Sequence, residues 1–232
     1  MERRSASSAR GGLSLLTKAV VFDCDGVLVD SEKAVFAGIV AVFARRGIHG
    51  LVTGPTSSLY GASVDEVISE LERETGEPVE FDEVAQELDS EIRAAIARGV
   101  RAMDGAVDLL ETIRGSRPLA VASNGSRETV EATMKAASIP QVFDVIVTLE
   151  APLRPKPAPD LYLRACELLR VLPERAIAVE DSVPGARSAR AAGLMVVGVG
   201  PAPGLRAVVE ALVPNLGDSR FLDLLELETL QV

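Results

Sequence analysis

Residues 19–26 read Ala19-Val20-Val21-Phe22-Asp23-Cys24-Asp25-Gly26, an apolar run that ends in two aspartates and a glycine. Aspartate is a poor strand residue, and two neighbouring carboxylates repel each other unless a cation or a proton lies between them. A hard divalent cation such as Mg²⁺ prefers oxygen ligands and would neutralise the pair. The stretch therefore predicts a buried strand with a magnesium site at its end, which favours chemistry on a phosphate group.

Apolar runs of strand length recur along the chain. They occupy residues 18–24, 118–123, 145–148, 176–179 and 195–200. Helical patterns lie between the later runs, in residues 127–137, 160–170 and 184–192. Short, continuously apolar strands that alternate with helices are typical of a parallel sheet buried on both faces. We therefore predict an α/β protein whose parallel sheet core carries helices on both faces.

Residues 33–103 have a different pattern, with apolar residues at helical rather than strand spacing. Helices are predicted over residues 32–46, 64–75 and 81–98. An all-helical insert after the first strand is expected to cover the carboxyl ends of the strands, where open α/β sheets bind ligands. The predicted organisation is a flexible tail over 1–17, a core formed by 18–32 and 104–232, and a helical cap over 33–103.

Composition and charge exclude several classes of partner. The chain has 232 residues, 47% of them hydrophobic, and a formal net charge of −10. This charge argues against a nucleic-acid partner and against binding to an anionic membrane surface. The two cysteines, Cys24 and Cys166, are expected to be buried and unpaired, which favours a reducing cytoplasm. The start of the chain is interpreted as a disordered tail, with a short transit peptide as the alternative.

Polar clusters follow four of the strand-like runs. They are Asp23-Cys24-Asp25-Gly26, Ser123-Asn124-Gly125, Lys156-Pro157-Ala158-Pro159-Asp160 and Glu180-Asp181-Ser182. Because the carboxyl ends of parallel strands lie on one edge of a sheet, these clusters are expected to converge. Each cluster alone has a structural alternative, such as an ordinary turn or a helix cap. Together, in this order, they predict a site for phosphoryl transfer.

The carboxylates of this constellation suit distinct roles. Asp23 can act as the nucleophile and form an aspartyl phosphate. Asp25 can protonate the leaving oxygen and later activate water. Glu180 and Asp181 can complete a Mg²⁺ site with the Asp23 carboxylate and the Asp25 carbonyl group.

The remaining polar groups suit phosphate binding. Ser123 can hold the phosphate together with backbone N–H groups of the turn that follows it. Lys156 can balance the carboxylates and contact both the nucleophile and the phosphate. Fixed donors of this kind stabilise the charge that develops during phosphoryl transfer.

The ordered set of clusters resembles the haloacid dehalogenase superfamily, in the subgroup with a helical cap after the first motif. That subgroup includes sugar-phosphate phosphatases, phosphoglycolate phosphatase and β-phosphoglucomutase. The resemblance spans about residues 18–200 and implies a Rossmann-like core with a mobile cap. It implies the same roles for the carboxylates, makes Ser123 and Lys156 phosphate ligands, and places Asn124 in the phosphate loop.

The resemblance leaves two enzymatic alternatives, a phosphatase and a β-phosphoglucomutase-like sugar phosphomutase. The mutase has a histidine and a cap arginine at positions that we align with Val35 and Val64. Both absences favour a Mg²⁺-dependent phosphatase of a sugar or polyol phosphate. The second aspartate of the first motif, Asp25, argues against a dehalogenase.

A non-catalytic binding protein on an enzyme scaffold is a third alternative. Such proteins usually lose a catalytic carboxylate or the lysine, and all of these groups are present here. The expected partner is therefore a small phosphorylated metabolite, and the expected assembly is a monomer or weak dimer. The residues that select the metabolite are expected in the cap.

Overall fold

A six-stranded parallel sheet forms the centre of the protein, in a computed structural model that describes residues 19–51, 59 and 62–226. The strands are β1 (Ala19–Phe22), β2 (Val29–Asp30), β3 (Arg101–Ala102), β4 (Leu119–Ala122), β5 (Val145–Val147), β6 (Ala176–Glu180), β7 (Met195–Val199) and β8 (Ala211–Val213). The order across the main sheet is β5-β4-β1-β6-β7-β8, and every neighbouring pair is parallel. The predicted tail over 1–17 lies outside the described residues.

Eight α-helices accompany the strands in the described part of the chain. They are α1 (Glu32–Arg45), α2 (Val64–Thr75), α3 (Phe81–Ile96), α4 (Ala106–Ile113), α5 (Arg127–Ala136), α6 (Asp160–Leu169), α7 (Val183–Ala191) and α8 (Ser219–Glu226). Short 3-10 turns occupy Pro173–Arg175 and Leu205–Ala207. None of the helices in the described ranges combines the length and the apolar character that a membrane span requires.

The helices cover both faces of the main sheet, as the continuous apolar strands predict. Successive strand residues point to opposite faces, so Val20 and Phe22 pack with α4, α5 and α8. Ala19 and Val21 pack on the other face with α6 and α7. Every residue of β1, β4 and β6 is buried, which explains why these strands read as unbroken apolar runs. The predicted α/β Rossmann-like core is confirmed.

Helices α1, α2 and α3 form a separate layer, here called the helical insert. The insert has its own apolar cluster, which includes Phe36, Phe43, Leu71 and Leu88. Helix α1 packs most extensively on α3, and Gly38 permits this because a Cβ there would lie 2.6 Å from Ile92 Cγ1. A packed helical layer therefore follows the first strand, where helical periodicity predicts it.

A short antiparallel pair joins the two chain segments that lead into and out of the helical insert. Val29 pairs with Ala102, and Asp30 pairs with Arg101. The Arg101 guanidinium also donates to the Asp30 carboxylate at 3.0 Å. The sequence does not predict this pair of strands, because two residues are too few to show the alternation that is typical of a strand.

Both cysteines are buried and unpaired, as expected. Cys24 lies in the apolar cluster on one face of the sheet, and Cys166 lies in the cluster on the other face. Burial raises the pKa of each thiol, so both remain protonated and act as small apolar side chains.

Candidate active site

The four polar clusters of the sequence meet at one edge of the sheet. Asp23 follows β1, Ser123 follows β4, and Glu180 ends β6, and these strands are immediate neighbours. Carboxylate oxygens of Asp23, Glu180 and Asp181 lie within 4.8 Å of one another. The convergence follows directly from the parallel strand order, because each cluster lies at the carboxyl end of its strand or in the loop beyond it.

Lys156 links two of these carboxylates. Its Nζ lies 2.9 Å from Asp23 Oδ1 and 2.7 Å from Glu180 Oε1, and its side chain is only 5% exposed. Burial alone would lower the pKa of Lys156, but the carboxylates of Asp23 and Glu180 raise it above the ordinary lysine value. The ammonium group therefore stays charged and holds the two carboxylates together.

Glu180 is completely buried, and polar groups surround its carboxylate. Tyr162 Oη donates to Oε1 at 2.7 Å, and Ser182 Oγ donates to Oε2 at 3.1 Å. Gly185 packs directly on the same group, because a Cβ there would lie 2.0 Å from Oε1. A charge buried this deeply requires such partners, and here the carboxylate has them on both oxygens.

Tyr162 is a site residue that the sequence analysis missed. It lies in the first turn of α6, fully buried, and its ring also lies under Lys156 Nζ at 5.1 Å from the ring centroid. Burial and the charge of Glu180 raise the pKa of Tyr162 well above its usual value, so the hydroxyl remains a donor. The available sequence signal for Tyr162 was its place on the buried face of the helix that follows the lysine motif.

Asp25 has two serine partners. Ser31 Oγ donates to Asp25 Oδ1, and Ser31 is itself completely buried. Burial raises the pKa of Asp25, while hydrogen bonds from Ser31 and Ser123, together with the charge of Lys156, oppose that rise. Asp25 therefore has hydroxyl partners, whereas Asp23 has a lysine partner.

Gly26 brings the first motif close to the last one. Its φ is +74°, and a Cβ there would lie 1.9 Å from Asp181 Oδ2. A side chain at this position would therefore need an unfavourable backbone conformation and would displace the carboxylate. The glycine after the second aspartate is required by this close approach.

The cluster contains more negative charge than its own residues balance. Burial, with the neighbouring carboxylates, raises the pKa of Asp23 to about 7 even though Lys156 opposes the rise. The pKa of Asp181 is also well above its usual value, through burial and then the charges of Asp23 and Glu180. A divalent cation would remove this repulsion, and three convergent carboxylates form an oxygen donor set that suits such a cation.

Two side-chain hydrogen bonds fix the loop after β4 next to the carboxylates. Ser123 is buried, and its Oγ accepts from Gly125 N at 3.1 Å. Asn124 Oδ1 accepts from Lys156 N at 2.9 Å. Asn124 therefore ties the backbone of the lysine loop to the loop after β4, a role that its place in the motif did not reveal.

The structure thus brings all seven predicted residues to one place, through three kinds of contact. Asp23, Lys156, Glu180 and Asp181 form the charged cluster. Asp25 forms a hydrogen bond with Ser123, and the side-chain oxygen of Asn124 accepts one from the backbone N–H of Lys156.

Comparison with known proteins agrees with this geometry. The profile of the haloacid dehalogenase-like hydrolase family matches residues 20–199. Hexitol phosphatase A of Escherichia coli (strain K12) is 35% identical over 184 residues, covering 78% of this chain and 82% of that protein. Validoxylamine A 7'-phosphate phosphatase of Streptomyces hygroscopicus subsp. limoneus is 29% identical over 222 residues, covering 88% of this chain and 96% of that protein.

A solved structure shows the same likeness over most of the fold. The crystal structure of CbbY from Rhodobacter sphaeroides in complex with phosphate superimposes with a TM-score of 0.77 at 27% identity, covering 87% of this chain and 96% of that one. The resemblance inferred from the four motifs is confirmed, and so is the enzyme class that it implied, a phosphoric monoester hydrolase. The chain belongs to the haloacid dehalogenase-like hydrolase family.

Proposed function

We propose that this enzyme is a Mg²⁺-dependent phosphatase that hydrolyses a small sugar or polyol phosphate through an aspartyl phosphate. The observation that carries the proposal is the pairing of Lys156 with Asp23 beside Asp181, while Asp25 accepts hydrogen bonds from serine hydroxyls. The two aspartates of the first motif thus have different environments, as a nucleophile and a proton donor require. The similarity to hexitol phosphatase A supports a polyol or sugar phosphate as substrate.

In the first step, a carboxylate oxygen of Asp23 forms a bond to phosphorus. The bond between phosphorus and the substrate oxygen breaks, and Asp25 gives its proton to that oxygen. In the second step, Asp25 takes a proton from water while the water oxygen attacks the phosphorus. The bond from phosphorus to Asp23 then breaks, inorganic phosphate leaves, and both aspartates return to their starting states.

The metal site would be formed by the carboxylates of Asp23, Glu180 and Asp181 with the carbonyl group of Asp25. A bound Mg²⁺ supplies positive charge that neutralises phosphate oxygens and the carboxylate cluster. Lys156 keeps Asp23 in place and offers its ammonium group to the phosphate. Ser123 and the N–H groups of its loop hold the remaining phosphate oxygens, and Asn124 fixes that loop against Lys156.

We further propose that residues 33–103 act as a cap on a core formed by 18–32 and 104–232. The helical insert leaves the sheet directly after the first motif, and α3 packs on α5, which begins after the loop that contains Ser123. Both observations support a position of the insert at the edge of the sheet where the site lies. A cap there excludes bulk water until the aspartyl phosphate is hydrolysed, and its inward side chains select the substrate.

The experiment is Mg²⁺-dependent phosphate release from a panel of sugar, polyol and two-carbon phosphates. Asp23→Asn should abolish release, because an amide cannot form the aspartyl phosphate. Asp104→Asn is the matched control, since the Asp104 side chain is 79% exposed and has no part in the proposed mechanism. Turnover by Asp23→Asn at the wild-type rate would overturn the mechanism.

The mutase alternative has less support in the helical insert. Val35 and Val64, the positions aligned with the mutase histidine and arginine, both pack against the apolar cluster of the insert. Ser63 caps α2 at this point, so Val64 begins a helix and supplies no charge for a second phosphate. Isomerisation that depends on an added sugar bisphosphate, without net phosphate release, would favour the mutase instead.

We also propose a cytoplasmic location and a monomer or weak dimer. The free, buried thiols of Cys24 and Cys166 are compatible with a reducing compartment. Light scattering on the purified chain tests the assembly, and a stable tetramer would contradict it.

A further inference from the structure

One side chain of the helical insert reaches the first turn of a core helix. Asp89 lies in α3, and its Oδ1 accepts from Ser126 Oγ at 2.8 Å and from Thr129 Oγ1 at 2.6 Å. Ser126 and Thr129 belong to the start of α5, the helix that follows the loop with Ser123 and Asn124. Two hydroxyl groups of the core therefore converge on a single carboxylate oxygen of the insert.

The contact uses the residue that caps α5. Ser126 Oγ accepts from Thr129 N at 3.2 Å, which is the N-cap bond of this helix. A serine hydroxyl has only one proton, and here that proton is donated to Asp89. The N-cap hydrogen bond of α5 therefore lies within the core, while the hydroxyl proton of Ser126 is donated to the insert.

The position of this cap next to the proposed phosphate loop gives the contact its significance. Ser126 directly follows Gly125, whose N–H binds Ser123 Oγ. A shift of Ser126 moves Gly125, and with it the N–H groups expected to face the phosphate. The carboxylate of Asp89 also lies at the N-terminal end of α5, where the helix dipole favours negative charge.

The other oxygen of Asp89 is paired within the insert. Arg93, one turn later in α3, contacts Asp89 Oδ2. The Asp89 side chain is 27% exposed, so water reaches this contact. Glu91, two residues further along α3, differs because it pairs with Arg45 inside the insert.

We infer that Asp89 is a positioning residue, which holds the helical insert against the phosphate loop by accepting from Ser126 and Thr129. This inference rests on the proposed phosphatase function for its kinetic consequence. When the contact is made, the insert covers the site and the loop after β4 is fixed. When the contact is lost, the covered state is less populated, and the apparent substrate affinity falls by the same fraction.

The kinetic test uses the compound that the wild-type chain hydrolyses best. Asp89→Ala should raise KM about tenfold and change kcat less than about threefold, because Asp23 and Asp25 do not touch this contact. Thr129→Val removes one donor at nearly constant volume and should raise KM by a smaller factor. Adding Thr129→Val to Asp89→Ala should have little further effect, since both changes remove the same contact.

Two further variants separate this role from a general loss of structure. Asp89→Asn keeps an oxygen that accepts from both hydroxyls, so it should recover most of the affinity that Asp89→Ala loses. Glu91→Gln is the matched control, because it removes a carboxylate of the same helix that pairs within the insert. Equal KM values for wild type, Asp89→Ala and Thr129→Val would overturn the inference.

A distance measurement tests the contact without any substrate. The chain has two cysteines, both buried, so spin labels can be attached at Glu77→Cys in the insert and Lys135→Cys in α5. With Mg²⁺ and inorganic phosphate present, Asp89→Ala should broaden the distance distribution towards longer values, and Glu91→Gln should not. Unchanged distances in Asp89→Ala would overturn the inference. A wild-type chain without phosphatase activity would refute the proposed function and leave this measurement valid.

Discussion

Charged side chains are used differently in the sheet core and in the helical insert. In the core, Lys156 and Glu180 form an ion pair with 5% and 0% of their side chains exposed. In the insert, Arg45 pairs with Glu87 at 2.8 Å, with 55% and 20% exposed. Buried charges depend on one another, whereas water and salt screen exposed ones. The comparison predicts that the core cluster tolerates almost no substitution and that the insert tolerates many.

The largest effect is expected for Lys156→Met. This variant leaves Asp23 and Glu180 without their cation, and removal of one partner from a buried pair costs about 3 kcal/mol or more of unfolding free energy. Urea denaturation without metal measures this loss, and phosphate release should disappear as well. Lys135→Met, on an exposed position of α5, is the control. Equal urea midpoints for both variants would show that the core pair is no more sensitive than a surface lysine.

Gly26→Ala and Gly47→Ala extend this contrast to the backbone. Both glycines have positive φ, +74° and +77°, but only Gly26 has a neighbour, Asp181, within 4 Å. Each alanine has a similar conformational cost, while Gly26→Ala also displaces a proposed metal ligand. We expect Gly26→Ala to weaken Mg²⁺ binding about 10- to 100-fold and Gly47→Ala to leave it unchanged. Calorimetric titration with Mg²⁺ checks this, and equal affinities would remove Asp181 from the site.

A smaller effect is expected for Tyr162→Phe. The change keeps the ring under Lys156 but removes the donor to Glu180, a hydrogen bond to a charged group. The expected loss is about 2 kcal/mol of unfolding free energy, with a reduced rate of phosphate release. Leu161→Met, at the adjacent buried position, controls for disturbance of α6. A fully stable, fully active Tyr162→Phe would mean that Glu180 is held by Lys156 and Ser182 alone.

The smallest effect is expected for Arg45→Met in the helical insert. Arg45 bridges Glu87 and Glu91 of α3, but its side chain is 55% exposed. Exposed pairs of this kind contribute little, since the attraction is screened and both side chains lose freedom. The urea midpoint should match that of wild type within error. A large destabilisation would place this pair in the same class as Lys156 and Glu180.

Features of the fold whose physical requirement is local were predictable from the sequence. The buried strands β1 and β6 read as apolar runs because water is excluded from both faces of the sheet. The carboxylates at their ends were recognisable as site residues, because negative charge next to a buried strand requires a cation or a proton beside it. The strand pair formed by Val29–Asp30 and Arg101–Ala102 was not recognisable, because each partner is two residues long.

Contacts between residues that lie far apart in the chain were not predictable from the sequence. Tyr162 looked like one more apolar position of a helix, since nothing near it in the chain shows that its hydroxyl meets Glu180. Asn124 was expected to line the phosphate loop, which stays a prediction, but the hydrogen bond from Lys156 N, 32 residues away, to its side-chain oxygen was not foreseen.

Chain order and residue type were sufficient to identify a parallel sheet with a helical insert and a cluster of carboxylates at its edge. Those features depend on hydrophobic periodicity and on charge repulsion between near neighbours, and both can be read along a single chain. The contacts that give each carboxylate its partner, such as Lys156 between Asp23 and Glu180 and Ser126 against Asp89, were decided only by tertiary structure. Hydrogen bonds and ion pairs act over a few ångströms in space, so residues far apart in the chain acquire these roles only when the strands and helices are packed together.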